Sequence, residues 1–328
     1  MYLCGENEMI KIISKKEMTR LGASVAEYYG KRTDVDYPVI EPLKIIKGTV
    51  PCPFTDGGIC KKVKSGKNPV CSVRDSNGIL WINCSERLCS SKKDIPLSEY
   101  QSSILLDVGK HVYGDSVSKD DVCIKREERL NVVDGTKYNA DFILSTKSGI
   151  SEHAGPDKLV LEMQGGGETT NTGELTRHVD SWRQLPPHQR TNAFLREPTQ
   201  ASPLVTNAWR RQQEQFIVKG NIALETWKGQ GMAFCVGSLL YDYLMDKLKN
   251  YALQDLEEYN WTLGIFTFVE DTLKPVLPGP IPLKIDESRC KYTNYQSFVH
   301  ALINQGTPSR QAFIGKFINL NNEEVIIG

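Results

Sequence analysis

Two acidic residues interrupt segments that otherwise have the composition of buried β-strands. Asp141 lies near the start of a strand predicted over residues 138–145, and Glu162 lies near the end of one predicted over 158–164. Asp is disfavoured in strands. Residues two apart on a strand share a face, so Glu162 and Gln164 are expected to project together. Two carboxylates at the ends of adjacent strands suit Mg²⁺, and such a site can hydrolyse phosphodiesters.

A third acidic residue is available on the preceding predicted strand, residues 122–130. Glu127 and Glu128 are both candidates, and Glu128 is favoured because it shares the parity of the apolar residues in that strand. The alternative without a site is that Asp141 is a strand-edge residue and Glu162 a surface carboxylate, since a pattern this short is common by chance. The strand context and the glycine-rich sequence after Gln164, which would let a ligand approach the backbone closely, favour a site.

Cysteines form the second concentration of reactive groups. Five of the nine lie close together in sequence, namely Cys52, Cys60, Cys71, Cys84 and Cys89. In a long chain such a cluster is more typical of a metal site than of disulfides. The spacing lacks the tight cysteine pair of ordinary zinc ribbons, so reduced structural cysteines are an equally good interpretation. Four thiolates would give tetrahedral coordination suited to Zn²⁺ or Fe, with Cys84 and Cys89 both open as the fourth ligand.

The overall composition excludes some classes of protein. The 328 residues include 40 basic and 40 acidic side chains. This balance argues against a histone-like polycation and against an acidic disordered tail, although a local basic groove remains compatible with it. The 40% of hydrophobic residues can build one large domain or two smaller ones. No apolar run approaches the roughly 20 residues that cross a membrane, so the expected location is the cytoplasm.

The chain must supply elements that position these residues. Ser98 is a plausible cap for a helix that precedes the three strands. A helix is also expected around residues 16–29, before a turn-rich region that ends near 95. After Gly167 the pattern predicts helices over 174–184, 207–218 and 233–250, then a strand over 262–269. Four prolines follow between residues 275 and 282, which indicates a C-terminal subdomain or arm from about 271.

The acidic residues and Gln164 resemble the motif of the PD-(D/E)XK nuclease superfamily. In that superfamily an Asp and an acidic-x-Lys half-motif lie on a strand pair behind an N-terminal helix. Ala140 stands where the superfamily often has Pro, and Gln164 stands where it has Lys. A neutral amide can position a water molecule but offers no charge. The Glu-x-Gln variant occurs among restriction endonucleases.

The cysteine segments resemble the four-cysteine metal site of NotI-type restriction endonucleases. The similar segments are Pro51-Cys52-Pro53-Phe54, Gly58-Ile59-Cys60, Pro69-Val70-Cys71-Ser72-Val73 and Ile82-Asn83-Cys84-Ser85-Glu86-Arg87, followed by Glu162-Met163-Gln164-Gly165-Gly166-Gly167. The resemblance spans about residues 50–185. It implies an α/β fold with a PD-(D/E)XK core, a mixed sheet flanked by helices, over 96–270. The region 1–95 would carry a Cys4 subdomain at about 50–90, and 271–328 would form the C-terminal part.

The function implied by the resemblance is that of a type II restriction endonuclease. Such an enzyme would be a bacterial or archaeal homodimer that binds double-stranded DNA and uses Mg²⁺ to cut a GC-rich palindrome, with GGCC as the suggested core, leaving 5′-phosphates. Asp141 and Glu162 would bind Mg²⁺, Glu128 would assist, and Gln164 would place water. Structural Fe or Zn would bind Cys52, Cys60, Cys71 and Cys84.

Basic side chains after the acidic strands are candidates for DNA contacts. They are Arg177, His178, Arg183, Arg190, Arg196, Arg210, Arg211 and Lys219. Each taken singly is more simply explained as part of a solvated helix face. A second function is open as well, in which the protein is a catalytically inactive Cys4 DNA-binding or regulatory protein on a nuclease-like fold. The presence of both acids argues against it.

Overall fold

The computed structural model describes residues 22–44, 49–131, 135, 137–147, 155–226, 230–304 and 313–328. The strands are β1 (Ser24–Tyr28), β2 (Lys31–Arg32), β3 (Val70–Arg74), β4 (Leu80–Ile82), β5 (Val122–Asn131), β6 (Lys137–Thr146), β7 (Lys158–Gln164), β8 (Thr169–Thr170), β9 (Ser202–Pro203), β10 (Gly231–Gly237), β11 (Leu263–Glu270), β12 (Leu283–Ile285), β13 (Lys291–Thr293), β14 (Gly315–Ile318) and β15 (Glu324–Ile327).

The helices are α1 (Lys61–Lys64), α2 (Ser85–Leu88), α3 (Glu99–Tyr113), α4 (Thr172–Gln184), α5 (Asn192–Arg196), α6 (Val205–Asn221), α7 (Ser238–Leu248) and α8 (Tyr295–Ile303). Short 3-10 turns lie at Pro187–Gln189 and Glu287–Arg289, and a π-helical turn at Ile222–Thr226 extends α6. No described helix is both long and apolar enough to cross a membrane.

The main sheet is mixed and has the strand order β12-β11-β10-β7-β6-β5, with β13 also paired to β11. Strands β5, β6 and β7 are antiparallel neighbours, whereas β10 runs parallel to both β7 and β11. Parallel neighbours need crossover connections, and α4 to α6 supply the first one and α7 the second. The protein is therefore a mixed α/β fold whose central sheet is flanked by helices.

Two hydrophobic cores lie on opposite faces of this sheet. Val108 of α3 packs in one core with Phe142 and Leu161. Trp209 of α6 packs in the other with Phe234. Because alternate residues of a strand face opposite sides, the central strands are apolar on both faces and can carry a polar side chain only where a partner satisfies it.

The cysteine-rich region builds a smaller sheet of order β2-β1-β3-β4, in which all pairs are antiparallel. A bridge between Ile82 and Gly166 joins it to the chain that leaves β7. Arg87 and Glu27, both fully buried, form an ion pair at 2.6 Å. The same Glu27 accepts a hydrogen bond at 2.8 Å from the backbone N–H of Ile281. The cysteine-rich region is thus anchored to the rest of the fold by a buried polar network.

Several sequence predictions are confirmed. The strands predicted over 122–130, 138–145, 158–164 and 262–269 correspond to β5, β6, β7 and β11. The helix after Ser98 is α3, and it begins with a capping box in which Ser98 Oγ accepts from the Gln101 N–H and Gln101 Oε1 accepts from the Ser98 N–H. The helices predicted over 174–184 and 207–218 are α4 and α6.

Three predictions need correction. The helix expected around 16–29 lies partly outside the described residues, and its end is strand β1. The helix expected over 233–250 is wrong in its first part, because 231–237 form the fully buried strand β10, and a continuous apolar run does not distinguish a buried strand from a helix. The subdomain or arm expected from about 271 is present only in part, since β12 and β13 pair with β11 and α8 packs into a core, whereas β14 and β15 form a separate two-stranded sheet.

Candidate active site

Asp141 and Glu162 lie side by side where β6 and β7 separate. The two strands pair as far as Phe142 and Leu161, and the two acidic residues are the next in register. The Asp141 N–H donates to Glu162 Oε1 at 3.2 Å. The Met163 N–H in turn donates to Asp141 Oδ2 at 3.0 Å. These reciprocal bonds fix both carboxyl groups at one strand end, as the sequence predicted.

The environment of these carboxyl groups opposes two negative charges. Burial and the charge of Asp141 raise the pKa of Glu162 to about 8, against the lowering effect of Lys219. Burial also raises the pKa of Asp141, against the lowering effects of the Met163 N–H and Lys219. Glu162 is only 4% exposed, whereas Asp141 keeps part of its surface accessible. A cation reaching Asp141 would relieve this repulsion.

Lys219 provides a buried positive charge at the pair. Its Nζ lies 2.7 Å from Glu162 Oε2, and the two side chains are 1% and 5% exposed. Lys219 was grouped with potential DNA contacts from sequence, and its burial contradicts that interpretation. A signal was present in the sequence, because Lys219 follows Phe216 by three residues on the buried face of α6.

Gln164 and Glu162 both meet side chains of α6. Gln212 Nε2 donates to Gln164 Oε1 at 2.7 Å, and the Gln164 amide donates to the carbonyl of Gly166. Gln212 and Lys219 are seven residues apart, so two helical turns place them on one face of α6. This helix therefore holds both residues of the Glu-x-Gln motif, and the orientation of the Gln164 amide is fixed by its partners.

The structure does not bring Glu128 to the carboxylate pair. Its side chain lines a separate cavity of about 730 Å³ together with Lys125 and Lys158. The preceding residue, Glu127, has a φ of 45°, and the pairing of its neighbours places it opposite Asp141. A left-handed residue interrupts the regular alternation of a strand. The parity argument that favoured Glu128 therefore fails at this point.

The donor set of the pair fits a hard divalent cation in kind. Mg²⁺ uses one or two carboxylates and completes its coordination with water and phosphate oxygens. Asp141 Oδ1 has only a long hydrogen bond of 3.4 Å from Ser91 Oγ and so retains acceptor capacity. Across the described residues, no three His, Cys, Asp or Glu side chains are grouped closely enough to hold a metal. The pair therefore offers a two-carboxylate site and not a closed protein cage.

Four of the cysteines lie in the cysteine-rich region, and Cys52 and Cys71 share a small hydrophobic cluster with Phe54. A negative charge on Cys84 would raise the pKa of both. Burial raises the pKa of Cys52, Cys71 and Cys84, and all four thiols are free. Cys89 lies elsewhere, in the hydrophobic core, where burial raises the pKa of its thiol. Of the two candidates for the fourth ligand, position favours Cys84.

The four thiols suit a structural metal in chemical type, since thiolates prefer Zn²⁺ or Fe. Their separations are longer than those of ligands on one ion, because no three potential ligands form a close group in the described chain. Metal uptake would require these thiols to lose their protons and move closer. The described residues contain no formed coordination shell, and the four-cysteine metal site stays a prediction.

Several of the predicted DNA contacts have structural partners. Arg196 donates to the carbonyl of Thr33 at 3.1 Å and pairs with Asp36 at 2.8 Å. Arg190 pairs with Glu41 at 3.3 Å. The remaining ion pairs join Arg177 to Glu174, Arg183 to Asp180 and Arg211 to Glu168, and His178 bonds the carbonyl of Phe194. Arg210 is exposed.

In comparisons with known proteins, no family model matches the chain, and no curated protein matches it significantly.

Proposed function

We propose that this protein is a Mg²⁺-dependent endonuclease with a PD-(D/E)XK core that cuts double-stranded DNA as a type II restriction endonuclease. The observation that carries the proposal is the pair formed by Asp141 and Glu162 at the ends of neighbouring strands, with the ammonium group of Lys219 on Glu162. A hydrolytic site for phosphodiesters needs oxygen ligands for a divalent cation and a positive charge nearby. These residues supply both.

Each residue has a distinct task in this proposal. Asp141 and Glu162 would hold Mg²⁺, which supplies Lewis-acid activation of water and neutralises charge on the phosphate. Lys219 lowers the pKa of Glu162 against the effect of burial, and a bound cation would favour the ionised form further. Gln164, whose amide is held by Gln212, would orient a water molecule.

Lys219 could also supply the positive charge that is missing because Gln164 replaces the Lys of the superfamily motif. Gln164 is neutral where the motif has Lys, and the nearest buried ammonium comes from α6. An ammonium group that is already paired with a metal ligand can stabilise negative charge that develops beside that ligand. We therefore expect Lys219 to carry the electrostatic part of the role that Lys has in the motif.

The cysteine group would have a structural task. Cys52, Cys60, Cys71 and Cys84 come from four separate segments, and one ion of Fe or Zn would tie these segments together. The region contacts the remainder of the fold through the buried Arg87–Glu27 network, so its conformation can influence the active site. The proposed metal takes no part in hydrolysis.

A cleavage assay tests the proposal. Purified protein is incubated with long DNA in Mg²⁺, and a parallel sample contains EDTA. Discrete fragments in Mg²⁺ alone are expected, and sequencing their ends would identify the recognition site, the overhang and the 5′-phosphates. Intact DNA with retarded mobility would instead support the second candidate, a catalytically inactive Cys4 DNA-binding protein. A GC-rich palindrome with two symmetric cuts would further require a homodimer, which sedimentation would detect.

A further inference from the structure

A cavity of about 340 Å³ lies between the cysteine-rich region and α6, next to the Glu-x-Gln motif. We call it the basic cavity. Its charged lining residues are Lys61, Lys62, Lys67, Arg211 and Glu168, so that positive charge predominates. Gln164 and the three glycines 165–167 form another part of its wall. The cavity is therefore continuous with the end of β7 that carries the active site.

The cationic groups of the basic cavity differ in their partners. Lys61 pairs with buried Glu86, and Arg211 pairs with Glu168 at 3.0 Å. In the described part of the chain, Lys62 and Lys67 have no carboxylate within ion-pair distance. Two ammonium groups without a paired carboxylate at the edge of a cavity favour binding of an anion.

The glycine wall of the basic cavity, residues 165–167, is packed against neighbouring segments. A Cβ on Gly165 or Gly166 would lie within 2.8 Å of Ile82, and Gly166 is held against Ile82 by a backbone bridge. The lysine side chains of the cavity suit the sugar-phosphate chain of a nucleic acid, which presents repeated negative charges. A free nucleotide would need a more enclosed pocket with groups that recognise its base.

We propose that the basic cavity binds the backbone of the DNA strand to be cut, with Lys62 and Lys67 contacting its phosphates. The inference rests on the proposed nuclease function and specifies how the substrate reaches Asp141 and Glu162. It also gives the cysteine-rich region a task, because Cys60 directly precedes the helix α1 that carries Lys62. Order in the cysteine group would then fix the position of a phosphate contact.

The test measures binding of wild-type protein to a short duplex of arbitrary sequence in Ca²⁺, between 50 and 200 mM salt, since phosphate contacts do not depend on sequence. The double variant Lys62→Ala/Lys67→Ala should lower the slope of log K against log salt by about 1.8, or about 0.9 per contact. The control Lys64→Ala/Lys93→Ala removes two exposed lysines that do not line the cavity and should leave the slope unchanged.

A third variant, Lys62→Arg/Lys67→Arg, retains the charge and should restore the wild-type slope. Melting temperatures of all variants would identify any that fail to fold. Equal slopes for the alanine variant and its control would overturn the inference, and so would saturable binding of inorganic phosphate without any change in the duplex slope. DNA cleavage together with unchanged slopes would refute this inference alone. A changed slope without cleavage in Mg²⁺ would refute the proposed nuclease and leave a DNA-binding cavity.

Discussion

The ammonium group of Lys219 lies 2.7 Å from the carboxylate of Glu162, inside a site that solvent barely reaches. The pair joins α6 to β7, so the helix that covers one face of the sheet also determines the charge at the end of the strand. Such a pair is costly to bury unless its geometry and hydrogen bonds are good. Its presence next to Asp141 is the strongest physical reason to regard this strand end as functional.

Removing either carboxylate should abolish cleavage. Asp141→Asn and Glu162→Gln each delete a proposed ligand of Mg²⁺, and we expect DNA hydrolysis to fall by at least about 100-fold. Binding of DNA in Ca²⁺ should be largely retained in Asp141→Asn. Glu128→Gln is the matched control and should cut at nearly the wild-type rate, because Glu128 lines a different cavity. Loss of cleavage in the control would place Glu128 back in the site.

Breaking the buried ion pair should destabilise the fold more than replacing it. Above pH 8, where Glu162 is ionised, Lys219→Met leaves the buried carboxylate without its cation, and the free energy of unfolding should fall by about 3–5 kcal/mol. The double variant Lys219→Met/Glu162→Gln carries no buried charge at this pair and should recover part of that loss. Urea denaturation of these two variants and of Glu162→Gln gives the free energies of unfolding for a double-mutant cycle. If the losses of the two single variants simply add up in the double variant, the two residues are not coupled.

The stability of the metal-free protein should depend on pH through these carboxyl groups. Burial raises the pKa of Glu162 to about 8 and raises that of Asp141, whereas both groups titrate near pH 4 in the unfolded chain. Between about pH 4 and pH 8 the native state therefore holds more protons, and its stability should fall as pH rises. In EDTA, the melting temperature of Asp141→Asn should fall less steeply with rising pH than that of the wild-type protein. An identical dependence in both proteins would show that these pKa values are not raised.

Metal content should depend on the four grouped cysteines. If they hold one ion of Fe or Zn, Cys71→Ser should lower the metal per chain well below one, because Cys71 contributes a buried thiol to the group. Cys89→Ser should keep the metal, since Cys89 packs in the hydrophobic core. Elemental analysis of the purified variants distinguishes Cys84 from Cys89 as the fourth ligand. Metal-free wild-type protein that remains fully folded would refute the structural ion.

Close packing at the glycine wall gives a further prediction. A Cβ on Gly166 would lie 2.3 Å from the backbone oxygen of Ile82, so Gly166→Ala must shift the joint between the two sheets. We expect a loss of about 1–3 kcal/mol in stability, together with weaker cleavage. In Gly173→Ala the new Cβ meets nothing within 4 Å, and this helical position should gain up to about 1 kcal/mol. Equal melting temperatures for the two variants would contradict this account.

The sequence by itself determined much of the local structure. Ser98 was predicted as the cap of a helix, and α3 begins directly after it. The strands that carry Asp141 and Glu162 were identified by their composition, and the interruption of each by an acid marked the candidate site. These features depend on neighbours in sequence, and the residues alone are enough to predict them.

The tertiary structure decided what depends on distant segments. Strand β10 has the apolar composition of a helix segment, and only its pairing with β7 and β11 makes it a strand. Glu128 lost its expected place because one left-handed residue, Glu127, changes the alternation of β5. Lys219 gained a role because α6 lies against β7, a contact 57 residues apart in sequence. The identities of the acidic residues were visible in the chain, but the cation beside them required the packing of a helix on a sheet.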